Sequence, residues 1–443
     1  MDWKDLLDTT RLMRPDYQEQ PGRPAYMQDI DRITFSEPFR RLANKTQVHP
    51  LYDNDHVHHR LIHSIEVASV GRSLGMEVGQ WLVDRKAVAE ADRDRISGIV
   101  QAACLAHDIG NPPFGHSGEA AIGEWFAERF DAPSGLLADL DPQTRQEFKA
   151  FEGNAQGFRI LARTEMYPDD GGMRLSLSVL GAFTKYPATA QVSARPPEPY
   201  CGLKKFGLFA NDADTFAGIA TTLGLPQAGT DKARWWRRHP LVFLMEAADD
   251  ICYNVMDLED AFTAGDISFE QARTLLSSLF LKPNTDRAYK TRALEISALR
   301  AQAIRNAIAA CVEAFKLNDD ALMAGTFSGS LIEISSKAAE FAAIKRLARE
   351  RIFKAPRKTE LEVFGRNVIR QTLDGLYPLF DDLGAKAWDT DRLSSYHTQL
   401  ARACGLHLDG LGNAYDALHA LTDFVSGMTD RYAVKVAGML AGR

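Results

Sequence analysis

The chain has 443 residues, 45% apolar and 25% charged, with 52 basic against 59 acidic side chains and a net charge of −7. Those fractions are ordinary for a globular protein and exclude disordered, collagen-like and coiled-coil compositions. No run of about 18 apolar residues offers a membrane span, and an acidic balance disfavours non-specific nucleic-acid binding, which rests on phosphate contacts. The N-terminal MDWKDLLDTT is acidic and lacks the basic-then-apolar pattern of a signal peptide, so a cytoplasmic location is expected.

In chain order, helical spacing begins near residue 60, where Leu61, Ile65, Ala68, Gly71 and Leu74 recur on one face. A second helix is predicted through Ile96, Ile99, Val100, Ala103 and Cys104, stopped by Gly110, Pro112 and Pro113. Residues 173–180, MRLSLSVL, alternate polar and apolar and fit either a strand or the start of a helix. Residues 186–202 and 223–232 are predicted loops. In WWRRHP, residues 235–240, the tryptophans are expected to pack against a neighbouring helix and the arginines to face solvent. Pro240 suits a helix start, and Leu241, Leu244, Met245, Ala248, Ile251, Cys252, Val255 and Leu258 then follow helical spacing.

Residues 293–317, 331–352 and about 412–441 are further predicted helices. The fold class is mostly α, with at most a few short strands. A soft boundary falls near 265, dividing a core of residues 1–265 from a C-terminal helical region, 266–443, that packs on it. The five cysteines are odd in number, far apart and without a CxxC pair, which points to reduced buried thiols.

Seven of the eleven histidines lie between residues 49 and 116. His58, His59 and His63 sit near the start of a predicted helix, and His107-Asp108 ends the next one. Imidazoles and carboxylates without thiolate suit Mg, Mn, Fe, Co or Ni better than a structural zinc. HDIGNPPFGHSGE, from His107 to Glu119, holds more prolines, glycines and titratable groups than a helix stop needs. Ser117 is predicted as an N-cap, with His116 just before it and Glu119 in the first turn. Such a pair suits general acid–base work. Further on, Asp249, Tyr253 and Asp257 stand at i, i+4 and i+8, one ridge beside the apolar stripe of their helix. An acid there needs a partner, and a metal would supply one for Asp249. His56, His58 and His59 are candidates to line a substrate entrance.

The chain resembles the HD-domain phosphohydrolases, and within them the deoxynucleoside triphosphate triphosphohydrolases of the bacterial dGTPase-like branch. The resemblance rests on DRITFSEPFRRLANKTQV (31–48), HRLIHSIEV (59–67), AHDIGNPPFGHSGE (106–119), FEGNAQGFRIL (151–161), LGAFTKYP (180–187), KKFGLF (204–209), EAADDICYNVMDLEDA (246–261) and SGMTDRYA (426–433), in that order. It implies a helical bundle around an HD core and conversion of a dNTP to deoxynucleoside and inorganic triphosphate. It also implies that His63, His107, Asp108 and Asp249 hold a divalent metal, Mg2+ or Mn2+ first, with Fe, Co or Ni as other candidates. His116 and Glu119 match the catalytic pair. Tyr253 and Asp257 match residues that meet the deoxyribose, Arg60, Lys185 and Lys205 match basic positions around the triphosphate, and Gln47 matches a position near sugar and base. The resemblance further implies a homo-oligomer, often a hexamer, and regulation by nucleotides or single-stranded DNA. Two rival readings share parts of the pattern: an HD phosphohydrolase acting on another nucleotide, and a regulatory protein that binds dNTP or single-stranded DNA.

Overall fold

A computed structural model describes residues 1–46, 59–230, 233–280, 289–352 and 356–443. Among these the regular structure is helical: 21 α-helices and short 3-10 and π turns, with only isolated β-bridges. The mostly α expectation therefore holds. The ambiguous stretch at 173–180 resolves as a helix, Leu177–Phe183, preceded by extended residues that bridge Ser176 to Arg11. No helix among the described residues is long and apolar enough to cross a membrane.

Six helices position the site: α1 (Arg60–Asp84), α2 (Asp92–Ala106), α3 (His116–Phe130), α4 (Val242–Ala264), α5 (Pro356–Ala385) and α6 (Asp430–Leu440). Helices α1 and α2 pack against each other through Gly71, Gly75 and Gly79, spaced four residues apart. A Cβ at Gly75 would stand 2.8 Å from the Ser97 Cα, and one at Gly71 would stand 2.4 Å from the Cys104 sulfur. Side chains there would hold the two backbones apart. Helix α4 crosses both and is buried on the face that carries Leu244, Ala248, Ile251 and Val255. It ends at Gly265, whose φ of 83° is the left-handed cap that glycine adopts without a Cβ clash.

Two apolar cores result. One joins α1, α2 and α4 to later helices through residues such as Leu74, Val100, Ile251, Ala303 and Phe315. The other sets Trp125, Phe126 and Phe148 against Ile369, Leu373, Phe380, Leu418 and Val425. Both draw on residues from either side of position 265. All five cysteines are buried free thiols.

The WWRRHP stretch departs from expectation in its arginines. Trp235 and Trp236 are buried as expected, with Trp236 edge-on to Phe216. Arg238, however, is only 1% exposed. It donates to Glu246 Oε2 at 2.9 Å, to the Lys185 carbonyl at 2.7 Å and to the Cys201 carbonyl at 3.2 Å. Arg237 pairs with Glu198 at 2.5 Å and lies over the Tyr200 ring. Burial of the guanidinium is tolerable because each face finds a partner, above all a carboxylate.

Glu246 also meets Lys185 at 3.3 Å, so one carboxylate serves the buried Arg238 and the half-buried Lys185. Glu246→Ala is expected to cost about 3 kcal/mol, because it strands buried charge. Chemical denaturation of the two proteins checks this; a loss within about 0.5 kcal/mol, as for an ordinary surface change, would contradict it.

Candidate active site

Three side chains from three helices converge. His63 lies in the first turn of α1, His107 directly follows α2, and Asp249 lies two turns into α4. His63 Nε2 stands 3.2 Å from Asp249 Oδ1, and His107 Nε2 stands 3.6 Å from the same oxygen. One ligand atom from each residue lies within 4.8 Å of the others. His107 Nδ1 faces the Cys104 carbonyl at 2.7 Å. That contact assigns the ring proton to Nδ1 and turns the lone pair of Nε2 inward, where this buried atom has no hydrogen-bond partner. A buried imidazole nitrogen without a partner, beside a carboxylate, fits a divalent cation.

Electrostatics agree. Burial works against charge on Asp249, but His107, His63 and Lys185 hold its carboxyl well below the usual carboxylate range. Burial likewise opposes a charged His63, yet the hydrogen bond to Asp249 raises it.

Asp108, the fourth expected ligand, is shared. Its Oδ2 accepts from Arg60 at 2.7 Å, and its Oδ1 accepts from the Asn111 amide while standing 3.6 Å from His107 Nε2. Burial alone would raise its pKa; Arg60 first, then the two histidines, bring it down to about 2. Arg60 is thus placed beside the cluster and held by Asp108.

The cluster opens into a cavity of about 460 Å³, a size that suits a nucleotide-scale ligand. His107, Asp108 and Asp249 line it, as do Arg60, Lys185, Lys205, Tyr253, His116 and Glu119. Lys185 and Lys205 each come with an acid: Lys185 pairs with Glu246 at 3.3 Å and Lys205 with Glu152 at 2.8 Å. Asp257 is buried one turn beyond Tyr253 and is not among the described lining residues. Gln47, His56 and His58 lie outside the described residues. His59 instead caps α1, its ring accepting from the Ile62 amide at 3.4 Å.

His116 and Glu119 form a close pair. His116 Nδ1 donates to Glu119 Oε2 at 2.7 Å, while Glu119 Oε1 accepts from the Gly153 amide at 2.8 Å. The acid is buried, whereas the His116 side chain is 85% exposed. Its hydrogen bond to Glu119 holds the imidazole above its ordinary pKa. Burial pushes Glu119 up, but the hydrogen bond and charge of His116, with Lys205 and the Gly153 amide, together keep the carboxyl low.

Ser117 is not the N-cap. Phe114 and Gly115 have φ of 62° and 57°, and the helix begins at His116 directly after them. A tight left-handed turn brings the chain around early, and the Ser117 hydroxyl donates to the Glu362 carbonyl instead. A Cβ at Gly115 would stand 2.6 Å from Arg60 Nη2, so a side chain there would push the guanidinium aside.

Other residues escape a reading of side-chain types. Glu246 and Glu152 belong to quoted stretches, but nothing in their spacing marks them as partners of the cavity lysines. Asn111 bonds Asp108 from within the Gly-Pro turn. Each acts through a contact that exists only after folding.

The HD domain family matches residues 60–154. A deoxyguanosinetriphosphate triphosphohydrolase-like protein of Pseudomonas aeruginosa is 40% identical, covering 100% of this chain and 99% of its own. One of Synechocystis, of the same name, is 36% identical over the same shares. A deoxyguanosinetriphosphate triphosphohydrolase of Klebsiella pneumoniae is 33% identical over 91% of each chain. With an HD match over the two histidine helices and relatives that align from end to end, the chain belongs to the deoxyguanosinetriphosphate triphosphohydrolase-like family of HD-domain proteins.

Proposed function

We propose that this protein is a metal-dependent triphosphohydrolase that converts a dNTP, dGTP or several dNTPs, to deoxynucleoside and inorganic triphosphate. The observation that carries the proposal is a shared cavity: His107, Asp108 and Asp249 of the histidine–aspartate cluster and the His116–Glu119 pair line it together with Arg60, Lys185 and Lys205. The relatives' names point to the same reaction.

His63, His107 and Asp249 would hold the cation, with Asp108 at its border. Mg2+ and Mn2+ suit this donor set, as do Fe, Co and Ni. The ion supplies Lewis-acid polarisation of a phosphoryl oxygen and an acidified water.

The protein's own groups do the rest. Arg60, Lys185 and Lys205 offset the charge of the triphosphate, which a chain of net charge −7 must do locally. His116 keeps one proton on Nδ1 for Glu119 and carries another on Nε2. Its Nε2 proton goes to the 5′-oxygen as the bond between that oxygen and the α-phosphorus breaks and water adds its oxygen to the phosphorus; the proton that water gives up passes to solvent, and His116 takes one back from solvent before the next turnover. An imidazole held above its usual pKa suits the acid role. Tyr253 faces the sugar, one turn from Asp249, with Asp257 behind it.

Incubation with each dNTP and a panel of divalent metals, singly and mixed, followed by chromatography of products, tests this reading. Triphosphate with deoxynucleoside is expected; monophosphate with pyrophosphate, or no turnover, would overturn it. The sugar role has its own test. A site that hydrogen-bonds a hydroxyl can reject an analogue lacking it by roughly 10⁴-fold. Because Tyr253 also crowds C2′, both GTP and 2′,3′-dideoxy-GTP are expected to be poor substrates beside dGTP. Equal turnover of the three would refute that assignment.

A further inference from the structure

The turn that presents His116 is conformationally costly. Phe114 and Gly115 are consecutive left-handed residues, and Phe114 is a bulky one that does not favour that region. Such a turn persists only where its surroundings hold it. Here the hold comes from the far end of the chain. Asp430, at the start of α6 and only 2% exposed, accepts from the Phe114 amide at 3.0 Å through Oδ1. Its other oxygen accepts from the Thr46 amide at 3.1 Å and from the Thr46 hydroxyl. Next to Thr46, buried Lys45 donates to the Asn111 carbonyl at 2.7 Å and to the Ser426 carbonyl at 2.7 Å. Residues 45–46 are therefore clasped between the 111–114 turn and the 426–430 junction.

We infer that Asp430 is a positioning residue for His116: it fixes the Phe114–Gly115 turn and through it the bearing of the His116–Glu119 pair on the substrate. The metal cluster sits on α1, α4 and the end of α2, so loss of the Asp430 carboxylate frees the turn without touching His63, His107 or Asp249. Helix α5 supports the same turn apolarly, with Phe364 edge-on to Phe114 at 6.3 Å. That contact supplies no acceptor for the Phe114 amide, which the Asp430 carboxylate takes; within the turn itself the Gly115 amide donates to the Pro112 carbonyl at 3.2 Å. A displacement of about 1 Å at a reacting group can cost on the order of 10²-fold in rate.

The inference rests on the proposed catalytic role of His116, and the experiment separates the two. Compare Asp430→Ala, Asp430→Asn, His116→Ala and a control, Asp381→Ala. The control removes an equally C-terminal anchor, the acceptor of the Leu136 amide at 2.7 Å, away from the cavity. With rates expressed per folded enzyme, Asp430→Ala is expected to lose kcat by about 10- to 100-fold. KM and metal content should stay close to those of the unchanged protein. Asp430→Asn keeps one acceptor and is expected to recover part of the rate; it also carries the test if the alanine variant does not fold. Asp381→Ala is expected to lower thermal stability and leave kcat unchanged. The inference falls if Asp430→Ala and Asp430→Asn both keep full kcat, or if Asp381→Ala loses as much. Full kcat in His116→Ala would instead remove the catalytic reading on which the inference stands.

Discussion

Replacing Asp249 with alanine is expected to abolish both metal binding and hydrolysis. Asp249 is the carboxylate that touches both histidines of the cluster, at 3.2 and 3.6 Å. Its neighbour Asp108 does not make up the loss, because it is drawn toward Arg60 and Asn111 and meets only His107, at 3.6 Å. Nor can a thiol: the five cysteines are buried in the cores, and burial pushes Cys104 and Cys252, both near Asp249, far from thiolate. Two imidazoles without their carboxylate make a weak site, and metal affinity goes with the missing charge. Elemental analysis of the purified variant, with dNTP turnover beside it, gives the answer. A full complement of metal in Asp249→Ala would remove Asp249 from the ligand set.

Replacing His116 with alanine is expected to leave the metal in place and lower kcat by about 10²- to 10⁴-fold, the scale of a general acid or base. His116 starts α3, beyond two prolines and a left-handed turn, and belongs to a different element from the cluster. Glu119→Ala should be milder, and the double variant little worse than His116→Ala, because the two act as a unit.

The pH profile fixes the direction of proton transfer. A general acid must be protonated, so activity is present below the His116 pKa and is lost as pH rises through it. Glu119 holds that pKa above the ordinary histidine value, which keeps the acid form populated toward neutral pH. Glu119→Gln should therefore move the basic limb of kcat to lower pH. If the limb does not move, or if activity instead appears as pH rises through it, the acid role is wrong. If His116→Ala loses its metal, the imidazole is a ligand and the division of roles fails.

The helical class and the helices around residues 60–84, 92–106 and 242–264 are legible in the amino-acid order alone. Apolar spacing of three and four residues is a local property, readable without neighbours. Asp249 stands out because an acid beside an apolar stripe needs a partner, His107 because it ends a helix within a histidine-rich region, and the match to a family motif joins His63 and Asp108 to them. Contacts across the chain were not legible in this way. Arg238 looked solvent-facing because arginine usually is, and only Glu246 and two carbonyls brought by folding make its burial tolerable. Ser117 had the chemistry of a cap, but the φ of Phe114 and Gly115 decided where α3 begins. The family motif joins Asp108 to His107 as a ligand, and Arg60, 48 residues away, determines how much of it faces the cluster. Asp430 reaches back over 300 residues to Phe114. A side chain's type and spacing follow from the chain alone, whereas its hydrogen-bond partners follow from tertiary packing, and at this site the partners set both geometry and charge.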